Sequence, residues 1–147
     1  VEKVADGRIL TGRQALEILE ISTPVMQVWE GVVAAPLIGT LDTQRTQQLM
    51  EQLLHRIVET RSSVALVDIT GVPAIDTKTA QHLIETITAA RLLGADVVLT
   101  GVRPAIAQTL VHLGIDLAGV ITRSSLAAGL RYALDALNLQ ATGKSEA

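Results

Sequence analysis

The residues best placed to do chemistry are Asp76 and Thr77, which stand where an apolar, strand-like run gives way to a helix-like one. Asp68 ends the apolar run, and Gly71 and Pro73 shape the loop between. A side chain at a helix N-cap accepts a hydrogen bond from the second or third amide of the helix, and aspartate suits that place. With Asp76 as cap, Thr77 takes the first helical position, where no preceding turn covers its hydroxyl. A phosphate on that hydroxyl would meet free backbone N–H groups and the positive end of the helix dipole. It would add about 1.5 to 2 negative charges beside Asp76 and Asp68. One modification could then both steady the helix start and turn away an acidic partner. The residues by themselves leave a plainer reading open, in which Asp76 and Thr77 only cap a helix, as such pairs often do.

Other chemistries find less support. No glycine-rich phosphate loop of the Walker type and no GxGxxG after a strand occur. His55, His82 and His112 each fall inside a helix-like segment, and no Ser-His-Asp arrangement follows from their spacing. The carboxylates show neither HExxH nor calcium-loop spacing, so neither a metal nor a cofactor is expected and the chain is not read as an enzyme. The absence of cysteine removes thiolate ligands, a cysteine nucleophile and any disulfide, and it suits a reducing cytoplasm. A formal charge of −3 offers no basic footprint for nucleic acid. No apolar run approaches the roughly 18–20 residues of a membrane span, and no signal peptide is visible, so no membrane partner is expected.

The elements that must position the pair follow from periodicity. VMQVWE and VVAAPLI flank Gly31, which predicts a hairpin of two strands. Asp42 caps a helix over 43–60 whose stripe is Leu49, Leu53, Leu54, Ile57 and Val58. SVALVDIT at 63–70 reads as a strand buried on both faces of a parallel sheet. A helix over 77–93 stops at Gly94, and a strand follows at 95–101. A helix from Pro104 runs to residue 113, then a short strand covers 119–122 and a last helix 124–137. Helices alternating with strands imply right-handed crossovers and a mostly parallel α/β sheet, with the hairpin as an antiparallel edge. Three strand-to-helix junctions, DITGVPAIDTKT, TGVRP and TRSS, then share one edge of the sheet, where function gathers in such folds. Ala89, Ala90, Ala127 and Ala128 would permit close helix approach in a dimer, or equally plain core packing.

The run ISTPVMQVWEGVVAAPLIGTLDTQR (21–45), then VDITGVPAIDT (67–77) and LTGVRPAIAQTLVHLGIDL (99–117) resembles the STAS domains of the stressosome. The likeness is to RsbR-type scaffolds and the shorter RsbS-type proteins, and it spans about residues 21–137. It implies the STAS (anti-sigma-factor antagonist-like) fold and a protein that binds partners rather than catalyses. In that family the scaffolds co-assemble and hold a switch serine/threonine kinase, which phosphorylates the STAS domains under stress and leaves. The implied partners are that kinase, an RsbS-type STAS protein and further copies of the chain. The implied phosphoacceptor follows the loop aspartate and is therefore Thr77. The family's RsbR branch has a second phosphorylatable threonine, for which Thr100 and Thr109 are the candidates. Thr100 stands at a strand end, the better geometry for a kinase, and Thr109 has the better spacing from Thr77. Residues 1–23 are then a linker or the remnant of a preceding sensor segment, with 13–20 able to form two helical turns. Residues 24–137 form the domain and 138–147 a flexible tail. The chain opens at Val1, which fits a piece of a longer, cytoplasmic protein. A stand-alone anti-sigma-factor antagonist and a ligand-binding STAS module of a larger protein are the alternatives.

Overall fold

The computed structural model describes residues 3–5, 8–10, 25–114 and 119–146. Two short strands, β1 (Lys3–Ala5) and β2 (Arg8–Leu10), pair antiparallel as a separate ribbon. The main sheet begins with β3 (Met26–Trp29) and β4 (Val32–Ile38), joined through Gly31 at φ +87°. Then come α1 (Thr43–Thr60), β5 (Val64–Gly71), α2 (Thr77–Leu92), β6 (Asp96–Thr100), α3 (Pro104–His112), β7 (Ile121–Arg123) and α4 (Leu126–Glu146). The strand order is β3-β4-β5-β6-β7, with β3 antiparallel to β4 and every other pairing parallel.

Side chains alternate across a strand, so one register serves two cores. On one face Val33, Ala35 and Leu37 of β4, Ala65, Val67 and Ile69 of β5, and Val97 and Leu99 of β6 meet α1, α2 and α3. On the other, Val32, Ala34, Val64, Leu66 and Val98 meet Ala133, with Leu130, Tyr132 and Leu137 of α4 packed beside them. This two-sided burial is why β5 reads as a continuous apolar run. α4 lies close over β6 because Gly129 has no side chain: a Cβ there would come within 2.6 Å of the Thr100 methyl.

Three expectations change. Val58, assigned to the buried stripe of α1, is 62% exposed, while Leu49, Leu53 and Ile57 are buried. Those three recur at four-residue steps, and Val58 lies a further 100° round the helix from Ile57. The last helix runs on from residue 137 to Glu146 in place of the flexible tail expected over 138–147. Adding a residue to an existing helix is far easier than starting one, so a polar extension needs no apolar stripe to announce it. The β1–β2 ribbon lies within residues read as linker, and the helical turns expected over 13–20 fall outside the described residues.

Candidate functional site

Because β4, β5, β6 and β7 run parallel, their carboxyl ends and the loops that follow share one edge. That edge has four junctions rather than three. The loop over 39–42 joins the others: the Gly39 N–H donates to the Gly71 carbonyl at 3.0 Å. Arg45, buried in the first turn of α1, donates through Nη1 to the carbonyls of Ile38 (2.8 Å) and Thr40 (2.6 Å). Reading VVAAPLI only as a hairpin arm hid this. The available signal was that β4, like β5, feeds a helix.

Asp76 is the N-cap of α2, with an extended backbone, and its Oδ1 accepts the Thr79 N–H at 2.7 Å. Thr77 is the first residue of the helix and is exposed. The loop before it is pinned from below, since Val72 and Ile75 are buried in the core while Pro73 faces solvent. The Thr79 backbone N–H holds the Asp76 carboxyl below its ordinary value of 3.8; the nearby Thr79 side chain and Lys78 add smaller pulls in the same direction. The Thr79 hydroxyl is buried and lies outside hydrogen-bond geometry with any described group, so the backbone bond dominates. A carboxyl lowered on folding stabilises the fold above its unfolded pKa, and that contribution is lost as pH falls through the folded one. An NMR titration should therefore show the Thr79 amide resonance moving with a midpoint below 3.8. A midpoint at or above that value would mean the cap does not form in solution.

Asp68 takes a different place from the one expected. Its neighbours Val67 and Ile69 point into the core beneath α1 and α2, so Asp68 faces the α4 side with Leu66. There its Oδ1 accepts both the Thr70 hydroxyl (2.8 Å) and the Thr100 hydroxyl (2.7 Å). The structure thus unites Asp76 with Thr77 and turns Asp68 away. Thr100 is 0% exposed, which corrects the expectation that a strand end leaves it open to a kinase. Thr109, half-buried on α3, donates to the Ala105 carbonyl at 3.1 Å and lies 3.5 Å from the carbonyl of Ile75, next to the cap. Arg103, at the N-cap of α3, donates through Nε to the Thr70 carbonyl at 2.9 Å and ties this junction to β5. Arg123 at the end of β7 sits 4.6 Å from the centre of the Tyr132 ring.

The histidines lie on helix surfaces, where His55 meets Glu59 at 3.1 Å and His82 meets Glu85 at 3.3 Å. Among the described residues no group of three or more His, Cys, Asp or Glu side chains could hold a metal ion. No described helix is long and apolar enough to cross a membrane.

A mixed sheet with an antiparallel first strand, three helices on one face and one on the other, and a capped threonine at the strand ends defines a class. The STAS domain family model matches residues 23–127, and the chain belongs to that family. Within it the similarity is to stressosome proteins. The chain is 48% identical over 122 residues to the RsbT co-antagonist protein RsbRA of Bacillus subtilis (strain 168), covering 83% of this chain and 44% of the relative. It superposes on a Moorella thermoacetica RsbS variant with a TM-score of 0.69 at 34% identity, covering 79% of this chain and 97% of the other. A chain from the molecular architecture of the stressosome, a signal integration and transduction hub, gives a TM-score of 0.67 at 33% identity, with 78% and 98% covered. The chain spans less than half the length of RsbRA.

Proposed function

We propose that the chain is a phospho-regulated scaffold domain of a stressosome-like assembly, acting by binding rather than catalysis and working in the cytoplasm. It holds a switch serine/threonine kinase, pairs with an RsbS-type STAS protein and with copies of itself, and receives phosphate on Thr77. The observation that carries this reading is an exposed threonine at the first position of α2, behind the Asp76 cap. The co-antagonist relatives and the stressosome chain support the assembly part. A phosphate on Thr77 gains the helix dipole and changes the charge of the edge a partner would meet. Thr109 is the better-placed second acceptor, because Thr100 is buried and its hydroxyl is taken by Asp68.

The test is incubation with ATP and the switch kinase, followed by phosphopeptide mass spectrometry. Phosphate is expected on Thr77 and none on Thr100, with the Thr77 signal gone in Thr77→Ala. An unmodified Thr77 beside a kinase active on another STAS substrate would return Asp76 and Thr77 to a plain helix cap.

A further inference from the structure

Arg45 is 9% exposed, and both of its side-chain hydrogen bonds run from one nitrogen, to the backbone carbonyls on either side of Gly39. A guanidinium is costly to bury, so the groups that receive its bonds are informative. The Ile38 carbonyl and the Gly39 N–H belong to one planar peptide group and point opposite ways across it. Arg45 Nη1 holds that oxygen at 2.8 Å, and the N–H donates to the Gly71 carbonyl at 3.0 Å. Gly71 and Val72 share the next peptide group, whose N–H donates to the Ile69 carbonyl at 3.0 Å. Three hydrogen bonds thus run in series from a buried cation, through two peptide planes, to the start of the loop that carries Asp76 and Thr77. Bonds in such a chain polarise and strengthen one another. The ladder between β4 and β5 slips between Pro36 and Ile38, and past the slip this chain continues the tie between the strands. Gly71 permits the approach: a Cβ there would lie 3.2 Å from the Leu37 carbonyl oxygen and 3.3 Å from the Ile38 Cα.

We propose that Arg45 is a positioning residue for phosphate transfer to Thr77, holding the loop over 72–76 in the form a kinase binds. The inference rests on Thr77 being the acceptor. Arg45 bonds to neither Asp76 nor Thr77 and acts through the two peptide groups. Val72 and Ile75 anchor the loop in the core, and Arg103 holds the Thr70 carbonyl from the α3 side. Arg45 is the brace on the α1 side. A kinase that needs the loop in one form binds more weakly by the fraction of time the loop spends in others. A loosened loop therefore raises the KM for this domain and leaves kcat, which is set after the complex forms, nearly unchanged.

Arg45→Met keeps the unbranched stem and removes both bonds. Ile38 and Thr40 are exposed, so water takes up their carbonyls and the fold survives. Both bonds leave Nη1, so a single ammonium can make them too, and Arg45→Lys is the rescuing variant. In initial-rate assays with ATP and the switch kinase, Arg45→Met should raise KM about fivefold or more with kcat little changed, and Arg45→Lys should restore KM. By hydrogen exchange the Gly39 and Val72 amides should open about tenfold faster in Arg45→Met, while the amides of β6 keep their rates. An unchanged KM, a loss in kcat alone, a lysine variant no better than the methionine one, or faster exchange spread evenly through β6 would overturn the inference. If Thr77 of the unmodified chain takes no phosphate, the proposed function fails, and the exchange rates of Gly39 and Val72 still uphold or overturn the brace.

Discussion

Replacing Gly101 with alanine is expected to lower stability by about 3–5 kcal/mol, read as a shift of the urea midpoint without a change in slope. Two costs combine at this position. Gly101 follows β6 with φ +73°, a conformation that costs a residue with a side chain about 1–2 kcal/mol. The added Cβ would also lie 2.8 Å from the Cβ and 2.9 Å from the Cα of Thr70, and its hydroxyl is nearer still. A rotamer change cannot relieve a clash with Cα, so the end of β5 or the turn after β6 must shift. Gly94→Ala is the matched control, since Gly94 has φ +90° and a Cβ added there would meet nothing within 4 Å. It should cost only the backbone part. Equal losses in the two variants would mean that the close approach to Thr70 is absent in solution. The consequence reaches the site, because Arg103 follows Gly101 by two residues and holds the Thr70 carbonyl at the head of the loop that carries Asp76 and Thr77.

Much of this architecture was legible because its signals are local. Asp42 and Asp76 were readable as caps, and each accepts the amide three residues on, at 2.8 Å and 2.7 Å. Gly94 follows α2 and Pro104 opens α3, both as their backbone preferences dictate. What stayed hidden depends on which way a side chain turns at a distance. The direction of Asp68 is set by the two-residue period of β5, and that period is masked when both faces of a strand are apolar. The burial of Thr100 needs β6 paired with β5 and Gly129 lying over it, and those contacts span 32 and 29 positions. The approach of Thr109 to Ile75 likewise joins residues 34 positions apart. The resemblance pointed to Thr77 and left Thr100 and Thr109 open as a second acceptor, and nothing in the sequence showed that Thr100 is buried. The exposure of Met26, Val28 and Trp29 was equally hidden, because the hairpin reads as an edge of the sheet without showing which of its side chains stay open to solvent.

Asp68→Ala is expected to cost about 2–3 kcal/mol of stability and yet to leave phosphorylation of Thr77 intact. The Asp68 oxygen accepts two hydroxyls, and their fates differ when it is removed. Thr70 is exposed and returns to water at little cost. Thr100 is 0% exposed, and a buried donor stripped of its acceptor costs about 1–3 kcal/mol in addition to the lost charged hydrogen bond. Thr100→Val removes that donor at nearly constant shape, so the double variant should lose less than the sum of the single ones, with a coupling of about 1–2 kcal/mol. Strict additivity would mean that the Asp68–Thr100 bond contributes nothing in solution. The phosphorylation arm asks a separate question of the same variant. Asp68 faces α4 while Thr77 opens a helix on the opposite face, so a folded Asp68→Ala domain keeps the surface a kinase would approach. If that domain folds but takes up no phosphate, Asp68 belongs to the kinase-facing edge after all. If phosphate uptake is unchanged, the Asp68 network braces the ends of β5 and β6, and the switch is confined to the Asp76 cap and Thr77.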